Sequence, residues 1–159
     1  MRLLTEDRRL ANMAKVARFR IGLVEPLALK PPDPRAGHRL ARVVAYDYAA
    51  ARAVEALIDL TADTVAHLQI SGAQPALGPV EEAAAISVAG FDAEVQEQLG
   101  LGDEVQGVMH YWSRRESELA FSQRSAVVMF GQAGARPSLL VVVDLIDGQV
   151  TDVVAAEEW

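Results

Sequence analysis

The sequence predicts an α+β fold of two tandem units, each with a helix packed on a twisted antiparallel sheet of about four strands. Three observations predict it. First, two separate blocks repeat in one register: "RLARVVAY" from Arg39 falls on "RSAVVMFG" from Arg124, and Asp59 falls on Asp144, both at an offset of 85 residues. Leu60, Val65 and Leu68 then fall on Leu145, Val150 and Val153, as an internal duplication requires. Second, the order of patterns is helix and four strands, twice over. Third, a Gly- and Pro-rich stretch, "SGAQPALGPVEE", separates the halves, placing the units at 1–73 and 74–159, with a linker and helix over about 72–90.

The elements follow in order. Thr5 is an N-cap candidate, with Glu6 and Asp7 complementing the positive end of a helix. Leu3, Leu10, Met13 or Ala14, and Ala17 share one face at helical spacing. In "RFRIGLVEPLALK", Phe19, Ile21 and Leu23 alternate with Arg20 and Gly22 as in a half-buried strand. Pro26 confines the end of that strand to an edge or a bulge. "PPDPRAGH" reads as an exposed loop. Strands follow over about 40–48, 53–60 and 64–70, the last two joined by a short "TAD" hairpin connection.

After the linker, Pro79 suits a first helical position, and Glu81 and Glu82 complement the helix N-terminus. The alanine-rich run predicts a helix to about Ala89, broken by Gly90. Asp92 caps a second short helix, which Gly100 ends. Strands return over about 105–112, 125–131, 138–145 and 149–155, the last pair turning at Asp147-Gly148, a two-residue hairpin signal.

Composition narrows the function. A chain of 159 residues with 51% apolar and 23% charged residues is an ordinary globular mixture, long enough to bury a core. The net charge of −7 argues against a nucleic-acid module and weakly against anionic membrane surfaces. The absence of cysteine removes disulfides, thiolate metal sites and cysteine nucleophiles. No apolar run reaches the roughly 20 residues of a membrane helix. No apolar signal core follows Arg8-Arg9, so the chain is read as cytoplasmic.

With linker and hairpins in place, the chain resembles the N2 and N3 domains of copper-containing primary-amine oxidases. "ARAVEALIDLTADTVAHLQISGAQPALGPVEEAAAI" is similar to the closing hairpin of N2 and its exit. "DAEVQEQLG" resembles the short helix opening N3, and "RSAVVMFG…SLLVVVDLIDGQVTDV" resembles its last strands. The resemblance runs from about Leu4 to about Glu157. It implies two cystatin-like units, 1–73 like N2 and 74–159 like N3. In that family, copper and topaquinone belong to a large C-terminal domain. That domain carries an Asn-Tyr-Asp/Glu motif, a His-x-His pair and a distant His. Nothing in this sequence matches those motifs: Tyr46 follows Ala45, and His38, His67 and His110 are far apart. No catalytic, cofactor or metal residue is therefore carried over. Copper and topaquinone would belong only to a catalytic partner, and the chain is not expected to act as an enzyme on its own.

The remaining candidates have competing readings. His38, His67 and His110 could hold a metal only if folding gathered them; otherwise they are ordinary imidazoles. Asp59 and Asp144 could act as acid and base, but both end strands before turns, where Asp bonds nearby backbone N–H groups. "MHYWSRRESELAF" contains Tyr111, Trp112, Arg114 and Arg115 beside His110, residue types enriched at interfaces. It is a candidate partner surface, with a small-molecule pocket or a plain strand end and charged turn as alternatives. The leading expectation is a non-catalytic binding or assembly module, possibly the small subunit of a split oxidase. Its partner would be a catalytic oxidase subunit or a second copy. The alternative is a stand-alone small-molecule binder or enzyme using a pocket of the sheet.

Overall fold

In the computed structural model, the described residues are 19–111 and 124–159. The helix expected around Thr5–Ala17 lies outside them. The chain divides into two compact units, Met1–Pro75 and Ala76–Trp159. Each contains a four-stranded antiparallel sheet with strands in sequential order.

In the first unit the strands are β1 (Phe19–Leu27), β2 (Leu40–Asp47), β3 (Arg52–Asp59) and β4 (Thr64–Ser71). Val43, Val54, Ala56 and Ile58 are buried on one face, with Ile21, Val65 and Leu68 packed against them. These positions alternate along their strands, as a sheet with one covered face requires. β1 is an edge strand that accommodates Pro26, and its bulge falls between Ile21 and Leu23.

The second unit begins with α1 (Pro79–Phe91) and α2 (Ala93–Gln98), followed by β5 (Glu104–Tyr111), β6 (Ser125–Gly131), β7 (Leu139–Asp144) and β8 (Gln149–Ala155). Glu81, Ala85 and Ala89 form the buried line of α1, one residue every four. The alanines let its backbone lie close to the sheet, over Ala126, Val128, Phe130, Val141 and Val143. Gly90 does not break α1, which runs on to Phe91. Glycine lowers helix propensity by only about 1 kcal/mol, which packing overrides. Asp92 caps α2 by accepting from the backbone N–H of Glu94 and Val95, and α2 ends with Leu99 as its C-cap directly before Gly100, both as expected.

The 85-residue offset reappears in the register. Leu40 pairs with Asp59 and Ser125 with Asp144; Ala41 pairs with Ile58 and Ala126 with Val143. The bulge between Leu57 and Ile58 recurs between Val142 and Val143. The Leu60 N–H donates to the Arg39 carbonyl, and the Leu145 N–H to the Arg124 carbonyl. The first strands keep the same bulge, Ile21/Leu23 against Val105/Gly107, at an offset of 84. The turns repeat as well. Each has four residues rather than the two or three expected, and each closes on a left-handed residue, Asp63 (φ 55°) or Gly148 (φ 68°). The two sheets are built to one plan.

Candidate functional site

Asp59 and Asp144 hold their turns. Asp59 Oδ1 accepts from the N–H groups of Thr61 and Ala62, both at 2.9 Å. Asp144 Oδ1 accepts from those of Ile146 at 2.7 Å and Asp147 at 3.4 Å. Their equivalence in register and their shared turn geometry account for both acids structurally.

Asp59 has one partner more. Its Oδ2 lies 2.6 Å from His38 Nδ1. The carboxyl is held below its usual range, first by the imidazole and then by the Ala62 and Thr61 N–H groups, against the opposing effect of burial. A proton on Nδ1 leaves Nε2 as the open lone pair of the ring. His38 lines an open groove of about 330 Å³ with Arg39, Val24, Leu27 and Leu60. A second open groove, about 440 Å³, is lined in part by Arg35, Arg42, Glu55 and His67. Arg42 spans three strands there, donating from Nε to Glu55 Oε1 at 2.7 Å and from Nη1 to Glu25 Oε1 at 2.9 Å. Arg42 holds the Glu55 carboxyl below its usual range.

Among the described residues, the most buried charged group is in the second unit. Arg124, fully buried, precedes β6 and forms a bidentate pair with Glu81, Nε to Oε1 and Nη2 to Oε2, both 2.9 Å. Nη2 also donates to the Ala76 carbonyl at 3.1 Å. Glu81 Oε2 accepts from the Gly78 N–H at 2.8 Å, closing the first turn of α1. His110 Nε2 lies 3.1 Å from Arg124 Nη1. A guanidinium only donates, so this nitrogen accepts and the ring proton sits on Nδ1. Burial, and then the Arg124 charge, push the His110 imidazole down to about 4, with Glu81 opposing. At neutral pH the cluster is a charged pair with a neutral imidazole whose acceptor nitrogen is occupied. It braces the linker, α1, β5 and β6 against one another.

Of the candidate partner surface, Tyr111 ends β5, half-buried, with its ring centroid 5.1 Å from that of Trp159. Trp112, Arg114 and Arg115 lie outside the described residues. The three histidines have separate settings: His38 on Asp59, His67 exposed on β4, His110 on Arg124. Among the described residues, no group of three or more His, Cys, Asp or Glu side chains could hold a metal ion. Tyr46 is buried in β2, its hydroxyl accepting from Gln74 Nε2 at 3.2 Å.

Sequence reasoning missed the Arg124–Glu81–His110 brace, having read Glu81 only as a complement to the helix dipole. The available signal was an Arg abutting the unbroken apolar strand "SAVVMFG", together with a Glu at the third position of a helix lacking a Ser, Thr, Asp or Asn cap. The His38–Asp59 pair had no such signal, because a 12-residue loop spans the approach from β1 to β2.

No family model and no curated protein matches the sequence. The fold is similar to a solved copper-containing benzylamine oxidase from Hansenula polymorpha, with a TM-score of 0.50 and 13% identity. That likeness covers 96% of this chain and 28% of the oxidase chain. At this identity the likeness concerns fold alone. No helix among the described residues is long and apolar enough to cross a membrane, which says nothing of β-barrels.

Proposed function

We propose that the chain is a non-catalytic binding or assembly module of the copper amine oxidase N2/N3 type, with 1–73 as the N2-like unit and 74–159 as the N3-like unit. The observation that carries this reading is the fold likeness, which takes in almost all of this chain and under a third of the oxidase. The side-chain chemistry agrees with it. The buried guanidinium and carboxylate of Arg124 and Glu81 are paired with each other, and the two grooves described are open rather than enclosed. The partner is a separately encoded catalytic oxidase subunit or a second copy of the chain. In the first case copper and topaquinone reside in that partner and not here. A cytoplasmic location belongs to the same reading.

The test is affinity purification from the native cell, with mass spectrometry and a quinone stain. The expected result is a quinone-positive partner of catalytic-domain size, or a stable self-complex. A chain recovered alone and monomeric overturns the proposal.

One observation favours a second reading. His38, oriented by Asp59 at the rim of the 330 Å³ groove, presents a directed imidazole beside apolar walls and Arg39. A small-molecule screen read by the NMR shifts of the Leu27 and Leu60 methyls lining the groove, in the native chain and in His38→Gln, tests it. Binding that survives His38→Gln counts against this site.

A further inference from the structure

One corner of the repeated plan is filled in the second unit and open in the first. In the second, the Arg124 guanidinium takes the Glu81 carboxylate in its bidentate pair. Val108 and Leu145 pack there against the core that α1 covers. The strand registers put Val24 where Val108 stands, and the matching Leu60 and Leu145 bonds put Arg39 where Arg124 stands. In the first unit, however, Val24 is 62% exposed and Leu60 48% exposed. Both line the 330 Å³ groove together with Arg39 and His38. The Arg39 backbone is fixed, its N–H donating to Thr61 Oγ1 at 2.9 Å and its carbonyl accepting from the Leu60 N–H at 2.8 Å. Its guanidinium has no ion pair among the described residues. Glu25, the carboxylate on the same wall, is held by Arg42. The uncommitted charge of the groove is therefore positive.

His38 adds a feature that the turn beside it does not need. At the 85-residue offset it falls on Gln123. Yet Asp144 accepts the same two backbone N–H bonds in its turn as Asp59 does. With Nδ1 on Asp59, the neutral ring offers Nε2 as an acceptor.

We propose that this groove binds a small carboxylic acid with an apolar body and an N–H or O–H donor, its carboxylate on Arg39 as the Glu81 carboxylate sits on Arg124, and its donor on His38 Nε2. The guanidinium fork matches a carboxylate in two parallel bonds, which a neutral ligand cannot reproduce. The apolar body covers Val24 and Leu60, whose counterparts in the second unit are already covered. A volume of 330 Å³ lies at the small end of ligand sites, which sets the ligand at the size of an acylated amino acid.

The assignment rests on the small-molecule reading of the His38 groove and names its ligand class. Its test is a methyl NMR titration of the full chain, followed at Leu27 and Leu60. Three probes are compared: N-acetyl-leucine, N-acetyl-leucinamide, which lacks the carboxylate, and isocaproate, which lacks the N–H. N-acetyl-leucine should bind with an affinity of millimolar order. The amide should bind about ten-fold more weakly, and isocaproate several-fold more weakly. Arg39→Ala should erase the preference for the carboxylate, and His38→Ala the preference for the N–H. Lys30→Ala, a cation outside the groove lining, should change neither. If His38→Ala does not fold by circular dichroism, the gap between N-acetyl-leucine and isocaproate in the native chain carries the His38 arm. Binding of N-acetyl-leucinamide as tight as that of N-acetyl-leucine, unchanged in Arg39→Ala, overturns the carboxylate assignment while leaving a small-molecule groove. Carboxylate binding that Lys30→Ala weakens as much as Arg39→Ala does also overturns it. Failure of all three probes to shift the groove methyls overturns the ligand class and the reading beneath it together.

Discussion

Arg42 and Arg124 show what one plan can be made to do twice. At the 85-residue offset, Arg42, Glu55 and Leu57 of the first unit fall on Val127, Leu140 and Val142 of the second. The strand pairing is the same, so backbone geometry does not separate the faces. In the first unit this face carries the half-exposed Glu25–Arg42–Glu55 network. In the second, Val127, Leu140 and Val142 are buried, with Tyr111, Met129 and Ala156 packed against them. β6 and β7 are thereby buried on both faces, which accounts for their nearly unbroken apolar runs. The second unit instead holds a buried ion pair, Arg124–Glu81, at the start of α1. Arg39 is exposed where Arg124, its counterpart in register, is fully enclosed. The same residue type at the same register position is a solvated cation in one unit and a structural pin in the other.

The sharpest way to break this comparison is to remove the pin. Arg124→Ala takes the bidentate partner from the buried Glu81 carboxylate, and should lower the stability of the second unit by about 3–5 kcal/mol. Arg39→Ala, at an exposed position, should change stability by less than about 0.5 kcal/mol. Both tryptophans, Trp112 and Trp159, belong to the second unit, so tryptophan fluorescence in a urea titration reads that unit alone. Equal losses for the two variants would mean that the brace contributes nothing particular.

Acid titration sharpens the comparison next. His110 is held at about 4 in the folded state, below its ordinary 6.5, so between those values the unfolded chain binds the extra proton and the folded chain does not. Stability should therefore fall as pH drops from about 6.5 towards 4. His110→Gln should flatten that limb of the tryptophan-detected stability profile, whereas His67→Gln, on the exposed strand of the other unit, should leave it unchanged. Asp59 adds an acid-side loss in the first unit. Its depressed carboxyl stabilises above its unfolded value and loses that stabilisation as pH falls through the folded one.

Two smaller effects bound the rest. Arg42→Met removes a partly exposed network, and its cost should stay within about 1 kcal/mol by denaturant titration with far-ultraviolet circular dichroism. A loss near that of Arg124→Ala would erase the distinction between the units. Gly148→Ala forces a left-handed turn residue, φ 68°, to carry a side chain, and should cost about 1 kcal/mol by the same measurement. Asp63 already tolerates the equivalent position at φ 55°, so the turn should persist.

The two-unit plan was legible in the chain because it rests on short-range rules. Alternation within a strand, Asp before a turn and Pro opening a helix each act over a few residues, and the repeat at 85 set the register of one sheet against the other. Reading failed where a local preference was overruled by packing: Gly90 stayed helical because Ala85 and Ala89 dock α1 on the sheet. The candidate surface around Tyr111 was legible only as composition, and composition does not say which side chains meet.

What the sequence by itself determined is the order of the strands along the chain and the repeat that matches one set of four to the other. Those properties follow from residue type and spacing along one stretch of chain. Only the tertiary structure decided that Arg124 would meet Glu81, 43 residues earlier, and that His38 would meet Asp59, 21 residues later. Neither pair could be read beforehand, because burial sets the worth of a charge. An Arg in water needs no particular partner, whereas an Arg out of water must have one, and which of the two it is depends on what folds over it.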